Sequence, residues 1–145
     1  MRLPEQRLWD RFRNNCPPRL VRLNRVENAV GVGDPDVEII SRGKVSKVEL
    51  KAVDCPPARG STSLLPKGKG LSTEQENWLI EWLKHGGNGY VLIGVGSGQY
   101  LISCRTIAPA LINSLTLLDV QHAALATKWH DIYAEFIPLH VLGGK

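Results

Sequence analysis

The sequence has little that would place the protein in a membrane or an oxidising compartment. Its three cysteines, at 16, 55 and 104, are far apart and form no CxxC pair, so neither a disulfide framework nor a zinc site is expected. No stretch has the roughly 18 consecutive apolar residues that span a bilayer, and the first residues lack the apolar region of a signal peptide. We therefore expect a cytoplasmic protein without a membrane partner.

Acidic side chains are outnumbered in the first half of the chain. Residues 1–70 contain 14 Lys or Arg and 8 Asp or Glu, whereas residues 71–145 contain 4 and 6. Seven of the arginines lie within the first 25 positions. This asymmetry predicts a polyanionic partner, most simply nucleic acid, although a solvated basic surface has the same composition.

Length and composition are otherwise those of a globular protein. The chain has 145 residues, of which 43% are apolar and 22% charged, enough to bury a sizeable core. We expect one domain over 1–145, with a core over about 1–104 and a C-terminal helical extension over about 105–145.

Two predicted helices each carry a polar side chain on the inward face. Pro4 suits a first helical position and indicates a helix over Pro4–Asn14, in which Glu5 shares a face with the apolar residues that follow it. Ser72 and Gln75 form a capping box for a second helix, which ends at Gly86-Gly87. Gln75 leans toward the apolar stripe of that helix, which consists of Trp78, Leu79, Trp82 and Leu83.

Short apolar runs and turn residues predict a set of strands. They cover residues 20–30, 36–40, 44–53, 90–95 and 100–104. Helical segments are expected near 106–114 and 117–135, the second burying Leu118, Leu125, Trp129, Ile132 and Phe136. The aperiodic segment 54–71 contains three prolines and three basic residues, and we expect it to be a mobile basic loop with a function.

The pairing of two strands brings two carboxylates together. If Arg42-Gly43 is a two-residue turn, Ser41 faces Lys44 and the apolar sides of both strands match, which a slip of one residue would prevent. In this register Asp36 faces Glu49, with Cβ atoms about 4.5–5.5 Å apart. Two carboxylates this close repel unless a cation or a proton intervenes.

A divalent metal resolves that repulsion. Mg²⁺ is commonly held by one or two carboxylates together with waters and phosphate oxygens. Lys51 points to the same face as Glu49 and can contact a phosphate or an attacking water. Glu5, on the inward face of the first helix, is a candidate for a further acid, so spacing alone predicts a site of Asp36, Glu49 and Lys51 with Glu5 near.

These residues carry a family resemblance. The pair "PD" at 35–36, with "ELK" beginning thirteen positions after Asp36, resembles the PD-(D/E)XK nuclease superfamily. More specifically, "GVGDPD…VELK…LSTEQENWLIEWLKHGGNGYVLIGV" is similar to the virus-type replication-repair nuclease (VRR-NUC) domain. Small phage-encoded members of that family and archaeal Holliday junction resolvases share its core. The resemblance covers about residues 1–95, and the insert between Lys51 and Ser72 departs from the family pattern.

The resemblance implies a fold, a cofactor and roles. It implies an α/β, restriction-endonuclease-like core with a central mixed sheet flanked by helices. It also implies a Mg²⁺- or Mn²⁺-dependent deoxyribonuclease that acts on branched, flap or duplex DNA. The protein would act in the cytoplasm, or in the host cytoplasm if a phage encodes it. The resemblance implies the metal on Asp36, Glu49 and the Leu50 carbonyl, with Lys51 at the nucleophilic water. It also extends to Glu5, less directly, and to Gln75. The side chains expected to grip DNA are Arg7, Arg11, Arg13, Arg59, Lys67 and Lys69.

Some alternatives stay open at this level. Glu27 competes with Glu5 as the further acid, and Asp34 competes with Asp36. The same fold could belong to a DNA-binding or assembly module without catalysis. Resolution of a four-way junction needs two symmetric active sites and hence a dimer, for which the last fifty residues could supply an interface or could instead complete a monomer core.

Overall fold

A computed structural model describes residues 3–26 and 33–143 of the chain. Five strands are present in this part of the chain: β1 (Arg22–Arg25), β2 (Val37–Ser41), β3 (Lys44–Val53), β4 (Asn88–Val95) and β5 (Gly98–Ser103). The α-helices are α1 (Pro4–Asn14), α2 (Thr73–Lys84), α3 (Leu117–Ala123), α4 (Trp129–Phe136) and α5 (Leu139–Leu142), and Pro109–Ser114 forms a 3₁₀ helix.

The strands form one mixed sheet in the order β1-β2-β3-β4-β5. Only β3 and β4 run parallel, and α2 lies on the crossover between them; the other neighbours are antiparallel. The expected α/β architecture with a mixed sheet and flanking helices is confirmed.

The predicted hairpin register is also confirmed. Ser41 pairs with Lys44 and Val37 with Val48. Arg42 and Gly43 have φ values of 48° and 89°, as a type I′ turn requires at both central positions. Nothing lies within 4 Å of a Cβ on Gly43, so its conformation and not crowding is what favours glycine there.

Helices cover both faces of the sheet. Leu8 and Phe12 of α1 and Ile132 and Phe136 of α4 pack on the face that carries Leu50. Leu79 of α2, residues of the 3₁₀ helix and α3 pack on the opposite face. Because side chains alternate along a strand, Glu49 and Lys51 lie on the α2 face.

Segments after β5 contribute to both core clusters, with two local corrections. The single helix expected over 117–135 is two helices, because α3 ends at Ala123 and Leu101 of β5 pairs with Ala126 in the connection. Leu118 and Leu125 are 59% and 43% exposed, so the prediction that they are buried was wrong. Their apolar neighbours Val120 and Ala126 are buried instead.

The stripe predicted on α2 is also only partly right. Leu79 is buried, whereas Trp78 and Trp82 are half-buried and stack with ring centroids 5.3 Å apart. The ammonium of Lys47 lies over both rings, at 5.5 and 5.7 Å from the centroids. This part of the helix therefore borders solvent, where a cation can cover the aromatic faces.

The segment 54–71 has no helix or strand, as expected, but it is anchored. Leu64, Leu65 and Leu71 are at most 5% exposed. The Leu64 amide donates to the Leu115 carbonyl at 2.8 Å, and the Asn113 side chain exchanges two hydrogen bonds with the Leu71 backbone. These contacts fix the second half of the segment to the α2 side of the protein.

Two further expectations concern the first strand and the relation to a membrane. Of the strand expected over 20–30, the structure shows Arg22–Arg25 as a strand, and Glu27 lies outside the described residues. Within the described ranges, no helix is long and apolar enough to cross a membrane. The expected cytoplasmic location stays a prediction.

Candidate active site

Asp36 and Glu49 meet where β2 begins. The ladder between β2 and β3 starts at Val37 and Val48, and one step further the same register places Asp36 opposite Glu49. Asp36 Oδ2 accepts a hydrogen bond from the Leu50 amide at 2.9 Å. Asp36 therefore faces β3 with its side chain, and this geometry favours it over Asp34 as the acid of the site.

Pro35 explains why the Leu50 carbonyl is available here. In this register Pro35 stands opposite Leu50, at a position where opposed residues exchange two main-chain hydrogen bonds. Proline has no N–H and cannot donate to the Leu50 carbonyl. The Leu50 amide donates to the Asp36 side chain. The N–H and C=O of one strand residue point to the same side, so the Leu50 carbonyl and Asp36 border one space.

Gly33 holds this segment against α2. Its φ is +89°, and a Cβ built on it would lie 2.4 Å from the Glu74 carbonyl oxygen. Only glycine combines this left-handed backbone with so close an approach. The close approach brings the segment that leads to Asp36 against the first turn of α2, which carries Gln75.

Glu49 is a buried carboxylate with an unequal environment at its two oxygens. Its residue is 2% exposed. Oε2 accepts a hydrogen bond from Gln75 Nε2 at 3.0 Å and lies 3.3 Å from Lys51 Nζ. Oε1 is buried and, in the ionised carboxylate, has no hydrogen-bond donor among the described residues, an arrangement that is costly for a charged group.

This environment raises the pKa of Glu49 to about 9. Burial is the main cause, and the negative charge of Asp36 adds to it, while Lys51 acts in the opposite direction. A protonated Glu49 can also donate a hydrogen bond to Asp36, which raises the pKa further. Without a cation, Glu49 therefore holds a proton at neutral pH.

Gln75 links the start of α2 to the site. Its side-chain Oε1 accepts a hydrogen bond from the Ser72 main-chain N–H at 2.9 Å, and its main-chain N–H donates to Ser72 Oγ at 3.1 Å. The remaining amide hydrogens are on Nε2, which donates to Glu49. The predicted capping box is confirmed, and the same side chain orients the buried carboxylate.

Glu5 and Lys51 line one groove. This groove has a volume of about 380 Å³ and is also lined by Asp54, Gly68 and Lys69. Burial raises the pKa of Glu5, and Asp36 raises it as well, while Lys51 and Lys69 lower it. Glu5 is thus within electrostatic reach of the Asp36–Glu49 pair, from the N-terminal turn of α1. We call this space the catalytic groove after its candidate residues Glu5 and Lys51; Asp36 and Glu49 are not among the residues that line it.

The residues present fit a divalent cation. In the described ranges, no three His, Cys, Asp or Glu side chains form a metal-binding group by themselves. Two carboxylates, a main-chain carbonyl and waters are nevertheless a donor set that suits Mg²⁺ or Mn²⁺. The unpartnered Glu49 Oε1 and the repulsion that raises its pKa are what a cation would relieve.

The six basic residues expected at DNA differ in their surroundings. Arg7 pairs with Asp54 beside the catalytic groove, and Arg13 pairs with Asp10 at 3.2 Å. Arg11 donates to the Gly98 carbonyl at 3.4 Å, and burial, followed by Arg7, lowers its pKa. Arg59, Lys67 and Lys69 are exposed on the segment 54–71. Of these three basic residues, only Lys69 lines the catalytic groove.

Sequence reasoning missed three residues around the site. Gly33 positions the segment before Asp36, and a glycine two residues before a proline was a usable signal for a special backbone. Asp54 pairs with Arg7 across 47 positions, and Arg25 lowers the pKa of Glu5 from β1. No short-range pattern signals either of these long-range effects.

Comparison with known proteins supports the architecture. No family model matches the sequence, and no curated protein matches it. Among solved structures, the chain is similar to Hjc, a Holliday junction resolvase from the archaeal hyperthermophile Archaeoglobus fulgidus, with a TM-score of 0.58 and 12% identity. The match covers 92% of this chain and 98% of that one.

The chain shares the fold of this resolvase. At this identity the likeness concerns the fold, and the roles of individual residues rest on the geometry described above. The more specific resemblance to the VRR-NUC domain stays a prediction.

Proposed function

We propose that the protein is a metal-dependent endonuclease that hydrolyses DNA phosphodiester bonds and selects branched substrates. The observation that carries the proposal is the buried Glu49, which faces Asp36 with one unpartnered oxygen and has Lys51 beside it. Such a repulsive pair is unfavourable for the apo fold, and structural needs alone do not account for it. Its position on a resolvase-like fold supports nuclease chemistry.

The residues that would hold the metal are Asp36, Glu49 and the Leu50 carbonyl, with Glu5 near enough to act directly or through water. When bound, Mg²⁺ or Mn²⁺ supplies positive charge that lowers the pKa of water and stabilises the charge developing on phosphate. Gln75 keeps Glu49 in place by binding Oε2, which leaves Oε1 for the ion.

Lys51 contributes from the floor of the catalytic groove. Its side chain is 10% exposed, and the residue lines the groove in which a phosphate would lie. The lysine ammonium group can orient the attacking water there and stabilise the negative charge that grows on the phosphate in the transition state. Lysine at this position therefore acts on the reacting group, and its contact with Glu49 is secondary.

The basic residues near the groove would bind the DNA backbone. Lys69 lines the groove, and Arg7 pairs with Asp54, which also lines it. Arg11, Arg13, Arg59 and Lys67 would extend the contact with DNA. Neutralising several phosphates predicts a steep loss of affinity with salt. Resolution of a four-way junction would further require a homodimer with two symmetric sites.

A cleavage assay tests this proposal. We expect wild type to cut branched DNA, and to a lesser degree duplex or single strands, in Mg²⁺ or Mn²⁺. Asp36→Ala and Lys51→Ala should lower the rate by at least about 100-fold, a loss typical of charge-stabilising groups. Glu38→Gln is the matched control, because Glu38 lies on the same face but pairs with Lys47 at 2.7 Å.

Two outcomes would refute catalysis at this site. One is a wild-type protein that cuts no DNA in either ion, and the other is an Asp36→Ala or Lys51→Ala variant as active as wild type. If, in addition, neither ion raises the melting temperature in an Asp36-dependent manner, the protein is better described as a DNA-binding or assembly module that keeps the fold.

A further inference from the structure

Residues 66–69 form an exposed turn closed by a main-chain hydrogen bond. The Lys69 amide donates to the Pro66 carbonyl at 2.8 Å, and Gly68 has a φ of +87°, the geometry of a type II β-turn. Pro66, Lys67, Gly68 and Lys69 are all exposed. Nothing lies within 4 Å of a Cβ placed on Gly68, so the turn projects into open space.

Core contacts hold both ends of this turn. Leu65, one residue before it, is 4% exposed, and Leu71, two residues after it, is 5% exposed. Asn113 binds the Leu71 backbone through both atoms of its side-chain amide, at 2.7 and 2.8 Å. A tip anchored so closely on each side keeps its position when a large ligand approaches.

The turn separates two grooves. On one side lies the catalytic groove, which Lys69 lines. On the other lies a second groove of about 790 Å³, which Lys67 lines together with Thr62, Ser63, Thr73 and Asn113. Pro66 and Gly68 line both grooves, so the turn is the ridge between them. We call the second space the outer groove.

The lining of the outer groove suits a phosphate backbone. Lys67 is its one charged lining residue in the described part of the chain, and hydroxyl and amide side chains make up much of the rest. Backbone recognition uses this combination of a cation with Ser and Thr hydroxyl groups. The catalytic groove, by contrast, contains Glu5 and Asp54 beside its lysines.

We infer that the turn at 66–69 is a dividing ridge that gives the protein its preference for branched DNA. Where two strands diverge, one lies in the catalytic groove beside Lys69 and the other in the outer groove beside Lys67. Linear duplex DNA has no diverging second strand and uses the catalytic groove alone. This inference rests on the proposed action on DNA, and it assigns the substrate class to a specific element.

Binding without metal tests the ridge apart from catalysis. The affinity of forked DNA and of linear duplex of equal length would be measured in EDTA over a range of salt concentrations. Wild type should prefer the fork. Lys67→Ala should lower this preference several-fold and reduce the salt slope for the fork by about one, as expected for one lost phosphate contact.

Two further variants make the result specific. Lys69→Ala should weaken the binding of fork and duplex by similar factors, because both use the catalytic groove. Lys84→Ala is the control that also removes one lysine charge. Lys84 is the last residue of α2 and lines neither groove, so this change should leave the fork preference intact. Melting temperatures of all three variants verify that they fold.

The inference is overturned if Lys67→Ala weakens fork and duplex equally, or affects the fork no more than Lys84→Ala does. Cleavage in Mg²⁺ and Mn²⁺ distinguishes this failure from failure of the proposed function. Absence of cleavage together with a Lys67-dependent fork preference refutes the nuclease and leaves the ridge standing. Cleavage without any fork preference supports the nuclease and refutes the ridge.

Discussion

Replacing Glu49 by glutamine should stabilise the protein in the absence of metal. Glutamine is nearly isosteric, keeps an oxygen that can accept from Gln75, and is neutral beside Asp36 without having to take up a proton. Loss of the attraction to Lys51 opposes this gain. Burial and Asp36 outweigh Lys51, however, because the pKa of Glu49 is raised overall, to about 9.

The magnitude follows from the linkage between pKa and folding. The carboxyl has a pKa of 4.5 as reference and about 9 in the fold. Below pH 4.5 the carboxyl is protonated in both the folded and the unfolded state, and its contribution to the free energy of unfolding is at its maximum. As the pH rises from 4.5 toward 9, that contribution is lost progressively, because the folded protein must keep a proton that the unfolded chain releases. Each unit corresponds to about 1.4 kcal/mol, so the loss amounts to about 3 kcal/mol at pH 7. For a chain of this size, that is roughly 10 °C in melting temperature.

The assay is equilibrium unfolding in urea with EDTA at several pH values between 4.5 and 9. We expect the free energy of unfolding of wild type to fall with pH relative to that of Glu49→Gln, so that the variant is the more stable protein at pH 7. Adding Mg²⁺ or Mn²⁺ should stabilise wild type and not the variant. Glu38→Gln, which removes the pair with Lys47 on the same face, should not gain stability.

A Glu49→Gln variant less stable than wild type at pH 7 in EDTA would refute this reasoning. It would mean that the contacts with Lys51 and Gln75 outweigh burial and the repulsion by Asp36. A difference between the two proteins that does not change with pH would equally contradict a raised pKa.

Two further substitutions test how the site is positioned. Gly33→Ala should destabilise the protein by about 2 kcal/mol or more, because the new Cβ combines a left-handed backbone with a 2.4 Å approach to the Glu74 carbonyl; a urea midpoint equal to that of wild type would contradict this. Gln75→Ala should cost about 1 kcal/mol through the lost capping box and should also slow cleavage, since Glu49 Oε2 loses a donor. Unfolding and single-turnover kinetics measure the two effects, and a loss of stability at unchanged rate would restrict Gln75 to a capping role.

Local patterns predicted much of the sheet and two helices correctly. The hairpin register followed from matching the apolar sides of two strands across Arg42-Gly43, since a shift of one residue would expose one set. The bounds of α1 and the cap of α2 followed from proline and from the Ser72–Gln75 box. These features depend on interactions between residues close in sequence, which spacing reveals.

Local patterns failed where burial depends on distant segments. Leu118 and Leu125 have helical spacing to their apolar neighbours but are 59% and 43% exposed, and Leu125 lies beyond the end of α3. The segment 54–71 looked unstructured in sequence, yet Leu115 and Asn113, more than forty residues away, hold it in place.

The candidate site divides in the same way. The sequence sufficed to place Asp36, Glu49 and Lys51 together, because one hairpin and the alternation of side chains along a strand are short-range geometry. The burial of Glu49, its unpartnered oxygen and its pKa depend on packing between α2, the sheet and the segment before Asp36. The ridge between two grooves likewise exists only because core residues far apart in the chain anchor both ends of one short turn. Desolvation and anchoring are properties of the packed molecule, which spacing along the chain does not encode.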